Sequence, residues 1–338
     1  MKYDVIVVGG GIAGLTSAAF LCKQGYQVLL CEKEDHVGGL VSSFTYDGFL
    51  FDAGVRGIVD SGIVKPMLQQ LAIDLELVKS IVTIGIEDEM IRVETKDSLK
   101  DYRKMLVTLY PESEKDIDRI LIEINKVMDY MDILYGIENP LFKDLKNDRT
   151  YVFQTLLPWM VRFLSKAGKI KKFQIPVDDY LHQISNNQSL IDIISQHFFQ
   201  QTPASFALSY FSLYLDYEYP KKGTIELAHR MRDYILQHGG IIQVSSKIME
   251  VDIDAQRITD QHHQSHEYQQ LIWAADTNQL YQAINFSTVK SPDIRQAIEK
   301  QKQRLLGKKG GDSIFSLFLA VDLEQSFFRD RSSGHCFY

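Results

Sequence analysis

Residues 3–39 read YDVIVVGGGIAGLTSAAFLCKQGYQVLLCEKEDHVGG. The run Asp4-Val5-Ile6-Val7-Val8 has no polar–apolar alternation and is rich in β-branched side chains, the pattern of a strand buried on both faces of a parallel sheet. Three glycines follow at once in GxGxxG spacing. Gly9 suits a tight turn, Gly11 lets backbone approach a pyrophosphate with no Cβ in the way, and Gly14 permits close packing of helix on strand. A helix is expected over Leu15–Gln24, stopped by Gly25 in the left-handed position beyond its end. A second strand, Gln27–Cys31, then ends at Glu32, about 20 residues beyond the glycines. At that distance a carboxylate accepts both hydroxyls of an adenosine ribose and repels a 2′-phosphate. Gly38-Gly39 gives a second place where backbone can pass close to a ribityl or phosphate group. A glycine turn alone is weak evidence; strand, glycines, helix, strand and acid in order supply the context that the motif demands. The bland alternative is a glycine turn in an α/β domain that binds no nucleotide.

The chain has 338 residues, 45% of them hydrophobic, enough for one large or two moderate cores. A formal net charge of −7 argues against nucleic acid as a partner, because that binding neutralises phosphates with clustered bases. Cys22, Cys31 and Cys336 are the 3 cysteines, without CxxC or metal-ligand spacing, so no metal is expected and a reducing, cytoplasmic setting fits. The N-terminus enters the first strand directly, without a leader pattern, and no run is long enough to span a bilayer. Any membrane contact is expected to be peripheral.

Beyond Gly39, Tyr46-Asp47-Gly48-Phe49 carries turn chemistry for a hairpin. Asp52 and Gly54 form a DxG element, either close to a ligand or capping the next helix. From about Val64 to Gln200 the pattern is helical and charged. Ile117, Ile120, Leu121, Ile124, Val127, Met128 and Met131 make an amphipathic stripe. In LLPWMVRFLSKAGKIKK, residues 156–172, Pro158 is placed to start a helix and Gly168 to end it. Its mix of apolar and basic side chains suits a membrane interface, or a surface helix that packs its apolar side inward. Residues 198–220 are aromatic, with Phe198, Phe199, Phe206, Tyr210, Phe211, Tyr214, Tyr217 and Tyr219 suited to the walls of a flat ligand or to a core. A helix, Gly239-Gly240 and a strand then return to α/β pattern, and QLIWAAD brings another strand ending at Ala274-Ala275-Asp276. A last apolar stretch, SIFSLFLAVDL, follows Gly310-Gly311. His262, His263 and His266 read as a solvated hairpin tip rather than a metal site.

The series GxGxxG, Glu32, Gly38-Gly39, FDAG, a helical insert and then Lys222-Gly223-Thr224 with its helix resembles the phytoene desaturase-like branch of the FAD-dependent oxidoreductases. The likeness is co-linear over nearly the whole chain. The family's YPKGG element reads YPKKG here, its strand with an adenine-binding backbone position reads IMEV from Ile248, and WAAD matches the strand closing the nucleotide-binding sheet. The resemblance implies an α/β, Rossmann-like FAD-binding sheet of glutathione-reductase type with an inserted helical and β substrate domain. It implies nucleotide-binding segments at 1–63 and 216–285, a mostly helical insert at 64–215, and the start of a second substrate-domain segment at 286–338. FAD would be held by Gly9, Gly11, Ala13, Gly14, Glu32, Lys33, Gly39, Leu40, Gly54 and Ile248. Two departures stand out. The family commonly has Arg after its second glycine pair, where this chain has Leu40. Its glycine- and proline-rich C-terminal flavin-binding segment does not follow GHCFY, so weak or absent FAD binding by these 338 residues is expected.

The activity implied is hydride transfer between flavin and a C–C bond of a hydrophobic, polyene substrate such as a carotenoid or retinoid. Amine oxidase or porphyrinogen oxidase activity is the alternative, and a non-catalytic remnant a second. No catalytic acid or base is evident: Arg56 is either a phosphate ligand or solvated, and Asp178-Asp179 reads as a cap for a helix starting at Tyr180.

Overall fold

The computed structural model describes residues 2–59, 62–199, 201–306, 308 and 314–338; the Gly310-Gly311 pair lies outside them. The chain divides into two compact units: Met1–Arg56, Leu68–Glu76 and Pro220–Gly311 in the first, and Gly57–Met67, Leu77–Tyr219 and Asp312–Tyr338 in the second.

Unit one is built on β1 (Lys2–Val8), α1 (Ile12–Lys23), β2 (Val28–Cys31), the hairpin β3 (Ser43–Tyr46) and β4 (Phe49–Asp52), α2 (Ile225–Gln237), β5 (Ile241–Gln243), β6 (Ile248–Asp252), β7 (Arg257–Asp260) and β8 (Ser265–Trp273). Six strands form one sheet in the order β5-β2-β1-β8-β7-β6. β1 runs parallel to both β2 and β8, and β5 parallel to β2, whereas β6, β7 and β8 form an antiparallel meander. Ile6, Val7, Leu29 and Leu30 are wholly buried, as unalternating strands in the middle of such a sheet must be. Asp47 and Gly48 both have positive φ, 49° and 82°, the type I′ turn that matches strand twist in a two-residue hairpin.

α1 starts at Ile12, earlier than Leu15, because Gly14 sits inside its first turn, packed on the Gly9 carbonyl. It ends at Lys23, one residue short of the expected limit, with Gly25 at φ 84°. β8 ends at Trp273, so Asp276 is no strand residue: its carboxylate accepts the Asn278 N–H at 2.9 Å and caps the helix Thr277–Ala283.

In unit two, the helix Glu114–Tyr135 buries Ile117, Ile120, Leu121, Ile124, Val127 and Met128, and half-buries Met131. They share a core with the hairpin Val82–Ile86 and Glu89–Val93, onto which His335–Phe337 adds a parallel strand. The segment 64–215 is thus less purely helical than its charge pattern suggests, holding Leu77–Lys79 and this hairpin among its helices. Glu123, midway along that long helix, would be raised by burial, but hydrogen bonds from Lys126, Lys172 and Tyr180 hold it down at about 2. The helix Leu157–Ile170 runs through Gly168, which therefore does not end it. A single unfavourable glycine costs a helix interior only about 1 kcal/mol relative to alanine.

Most of the aromatic run is core. Phe211, Tyr214 and Tyr217 are buried, while Phe199 and Phe206 face solvent. The cavity that Tyr102, His197, Phe198, Tyr210, Phe211 and Tyr214 help to line is about 40 Å³, the size of a water or two. Residues 314–323 form no regular element, and Ile314, Phe315, Leu317 and Leu319 are exposed. Among the described residues no helix is long and apolar enough to cross a membrane.

Two outcomes follow from this packing. Ile6→Ala removes a wholly buried side chain from the central strand and should cost about 2–5 kcal/mol in urea unfolding. Burial lowers the pKa of His197 and of His266, so the unfolded chain takes up protons that the folded one resists. Their contribution to stability is present above the unfolded value of about 6.5 and is lost as pH falls through it toward the folded values. Urea midpoints measured from pH 7.5 to 5 should fall, and less steeply in His197→Phe, whose ring can keep its edge contacts with Phe198 and Phe337.

Candidate dinucleotide site

The carboxyl ends of β1 and β2 carry the sequence motif, and each glycine there answers to a different constraint. Gly9 has φ 106°, and a Cβ on it would lie 2.7 Å from the Ala274 carbonyl oxygen, so turn and crowding both demand glycine. A Cβ on Gly14 would collide with the Gly9 carbonyl. Gly11 differs: φ is −68°, an ordinary value, and a Cβ would meet nothing within 4 Å. The fold does not need glycine there. Gly11 is also the N-cap of α1, with no side-chain capping bond and no acidic residue in the first turn, so the helix presents its free N–H groups and positive end outward. This is the geometry of an anion site at a helix N-terminus.

Glu32 is buried at the end of β2. One carboxylate oxygen accepts the Gly10 N–H at 2.5 Å and the other the Glu34 N–H at 2.9 Å. An ionised carboxylate has about four acceptor positions, which leaves room for ribose hydroxyls beside these two bonds. Gly10, absent from the GxGxxG count, thus belongs to the site: its N–H orients Glu32, and a Cβ on it would lie 3.0 Å from that carboxylate.

The second glycine pair is drawn to the first. Gly38 donates its N–H to the Gly10 carbonyl at 2.8 Å and forms an isolated parallel bridge with Gly11. Gly39, at φ 60°, would place a Cβ 3.1 Å from the Gly11 Cα. Leu40 projects outward, 78% exposed, and its carbonyl accepts the Val55 N–H at 2.9 Å. Gly54 lies against that same carbonyl, which a Cβ there would strike. Gly9, Gly11, Gly14, Glu32, Gly39, Leu40 and Gly54 are therefore contiguous in the fold. Ala13 is exposed on the first turn of α1, and Lys33 is exposed and paired with Glu34 at 3.1 Å. Ile248 is buried in β6; two residues before it, Ser246 donates its N–H to the Glu32 carbonyl at 2.7 Å.

Asp52 caps a helix, but a distant one. Its Oδ1 accepts the Thr224 N–H at 3.0 Å, the Thr224 hydroxyl at 2.9 Å and the Ser43 hydroxyl at 2.6 Å, tying the β3–β4 hairpin to the start of α2. Gly223, at φ 94°, is held in the same knot. Sequence reading passed over Ser43 and noted Thr224 only as part of the Lys222-Gly223-Thr224 element, not as a partner of Asp52; a threonine just before an apolar helical stripe was the available signal.

Arg56, two residues beyond Gly54, is exposed. Asp178 and Asp179 are exposed in the first turn of the helix Val177–His182, which starts before Tyr180, so they favour the helix dipole rather than cap it. His262 and His263 lie at the β7–β8 turn, but His266 is inside β8 with its ring edge-on to Tyr3 at 6.0 Å. No cluster of metal-ligating side chains occurs among the described residues. Burial pushes the Cys31 thiol up to about 12, against the bond from Ser246, which favours the unreactive thiol over the thiolate at neutral pH.

The NAD(P)-binding Rossmann-like domain family matches residues 7–71, the segment from β1 through the second glycine pair and FDAG. All-trans-retinol 13,14-reductase of Danio rerio is 26% identical over 342 residues, covering 94% of this chain and 54% of its own length. Prolycopene isomerase 2 of an Oncidium hybrid is 32% identical over 152 residues, 42% of this chain and 26% of its own. The 4,4'-diapophytoene desaturase of Staphylococcus haemolyticus is 29% identical over 128 residues, 36% and 25%. The crystal structure of an oxidoreductase from Methanosarcina mazei superposes with a TM-score of 0.61 at 16% identity, over 90% of this chain and 65% of that one, which shows a common fold. The chain spans about half the length of the retinol reductase that it matches. It is thus a relative of the retinol 13,14-reductases, diapophytoene desaturases and prolycopene isomerases, with a Rossmann-like dinucleotide-binding domain at its head.

Proposed function

We propose that the protein is an FAD-dependent oxidoreductase acting on C–C bonds of a hydrophobic polyene of carotenoid or retinoid class. The observation that carries the cofactor half is Gly11: neither backbone angle nor packing requires glycine, yet it stands bare at the uncapped start of α1 beside the Glu32 carboxylate. A group that must come within van der Waals reach of that Cα explains it, and a pyrophosphate with its ribose answers to the α1 N–H groups and to Glu32.

The pairing of Gly38-Gly39 with Gly10-Gly11 extends this bare backbone beyond what an adenosine half needs, which favours FAD over NAD. Gly39, Leu40 and Gly54 would then face the ribityl and ring side, and the backbone near Ile248 the adenine. Bound FAD supplies the hydride acceptor or donor. The protein's part is to hold the diphosphate at the α1 N-terminus, fix the ribose on Glu32 and exclude NADP by repulsion of a 2′-phosphate. The polyene class rests on the names of the sequence relatives. Such substrates partition into lipid, so peripheral membrane contact through the 156–172 segment belongs to the same reading.

FAD titration followed by flavin fluorescence quenching separates the site from the fold. Gly11→Ala should leave urea stability within about 0.5 kcal/mol, since its Cβ points into open space, and weaken FAD at least roughly tenfold. Gly14→Ala should lose stability as well as FAD. Glu32→Gln, which keeps an acceptor for Gly10 but loses the charge, should weaken FAD by about 1.5–3 kcal/mol. Measurable FAD binding by the parent that Gly11→Ala leaves unchanged counts against the site. For the reaction, anaerobic flavin spectra on addition of a retinoid, a carotenoid or an amine discriminate the substrate: bleaching by the amine alone overturns the polyene reading.

A further inference from the structure

We propose that the cleft between the helices Thr277–Ala283 and Pro292–Leu306 binds a small amphipathic carboxylate, its charged head on Lys302 and its apolar body on Leu305 and Leu306. The cleft lies within unit one and holds about 260 Å³, room for roughly nine groups the size of a water. Both helices are anchored on one core: Leu280, Tyr281 and Phe286, from the first helix and the turn after it, pack on the same buried cluster as Ile298 of the second. Asn278, Tyr281 and Gln282 have the spacing of one helix face, and Lys302, Leu305 and Leu306 repeat that spacing on the other side of the cleft. Lys308 completes the wall.

Each side chain answers to one part of such a ligand. Lys302 is half-buried, and its ammonium lies 4.9 Å from the centre of the Phe286 ring, a contact that restrains a long side chain before any anion arrives. The ammonium has three donors, so resting on a ring leaves it some for an anion on its other side. No acidic side chain lines the cleft: Glu299 of the second helix accepts from Gln303 at 3.4 Å, and Asp276 caps the first helix. Neither Lys302 nor Lys308 is ion-paired among the described residues, in a chain whose formal net charge is −7. The Asn278 and Gln282 amides and the Tyr281 hydroxyl add donors that are bonded to no other group among the described residues. The leucines select against a purely ionic occupant, and the second helix ends at Leu306, where its negative dipole end repels an anion. The head therefore belongs one turn earlier, at Lys302, and the apolar body on Leu305 and Leu306. A neutral ligand would gain nothing from the two ammoniums. The volume falls below the roughly 300–1,000 Å³ of pockets for drug-sized ligands, which limits that body to a short chain. The inference uses none of the residues proposed to hold FAD.

The test is equilibrium dialysis of the 338-residue chain against radiolabelled octanoate, with octanol and inorganic phosphate as competitors. The expected result is saturable octanoate binding that salt weakens, that octanol displaces roughly tenfold less well than unlabelled octanoate does, and that phosphate leaves in place. Lys302→Met keeps the aliphatic stem and should weaken octanoate by roughly tenfold or more, whereas Lys302→Arg keeps the charge and should bind like the parent. Leu306 is 71% exposed, so Leu306→Asp should keep the parent's circular dichroism and urea midpoint while losing octanoate. No saturable binding by the parent, binding that Lys302→Met and Leu306→Asp both leave unchanged, or displacement by octanol or phosphate as strong as by octanoate would each overturn the proposal. The dialysis involves no flavin, so this inference and the FAD reading fail separately.

Discussion

The bond from the Gly10 N–H to the Glu32 carboxylate holds the working end of unit one together. A buried carboxylate is costly unless donors satisfy it, and here two backbone N–H groups do so while its own carbonyl accepts from Ser246. The ends of β1 and β2 and the approach to β6 are thereby fixed on one residue. The glycine loop is also locked from behind, by Gly14 against the Gly9 carbonyl and by Gly38 on Gly10. A dinucleotide would meet a preformed cradle, so little ordering cost would be subtracted from its affinity.

Much of this was legible in residues 3–39, because each constraint there is local and leaves a residue type as its mark. An unalternating β-branched run marks a strand covered on both faces, and Gly25 and the Asp47-Gly48 turn mark positive φ. The stripe Ile117 to Met128 was equally plain, since 3.6-residue periodicity is written along one helix.

What the sequence hid was long-range or permissive. The Asp52 knot joins partners 172 residues apart, and nothing near Asp52 says which helix it caps. Gly10 was masked by its own motif, whose spacing points to its neighbours on either side. Gly168 looked like a stop signal, but packing of the helix against its neighbours outweighs one poor residue. The aromatic run of residues 198–220 has one composition for two uses, and only burial showed that Phe211, Tyr214 and Tyr217 fill a core rather than wall a large cavity.

The sheet order has a consequence for synthesis. β1 lies between β2, which follows it within a few tens of residues, and β8, whose Gln269 side chain reaches back to Asp4 across 265 residues. At translation rates of roughly 5–20 residues per second, β1 emerges about 13–50 s before its second partner exists. During that interval Val5–Val8 offers an unpaired, wholly apolar strand edge. All of unit two except its last 27 residues, 312–338, is made in the same interval. The nascent Rossmann sheet therefore carries an open apolar edge through most of the chain's synthesis, the kind of edge that invites pairing with a neighbour on the same polysome.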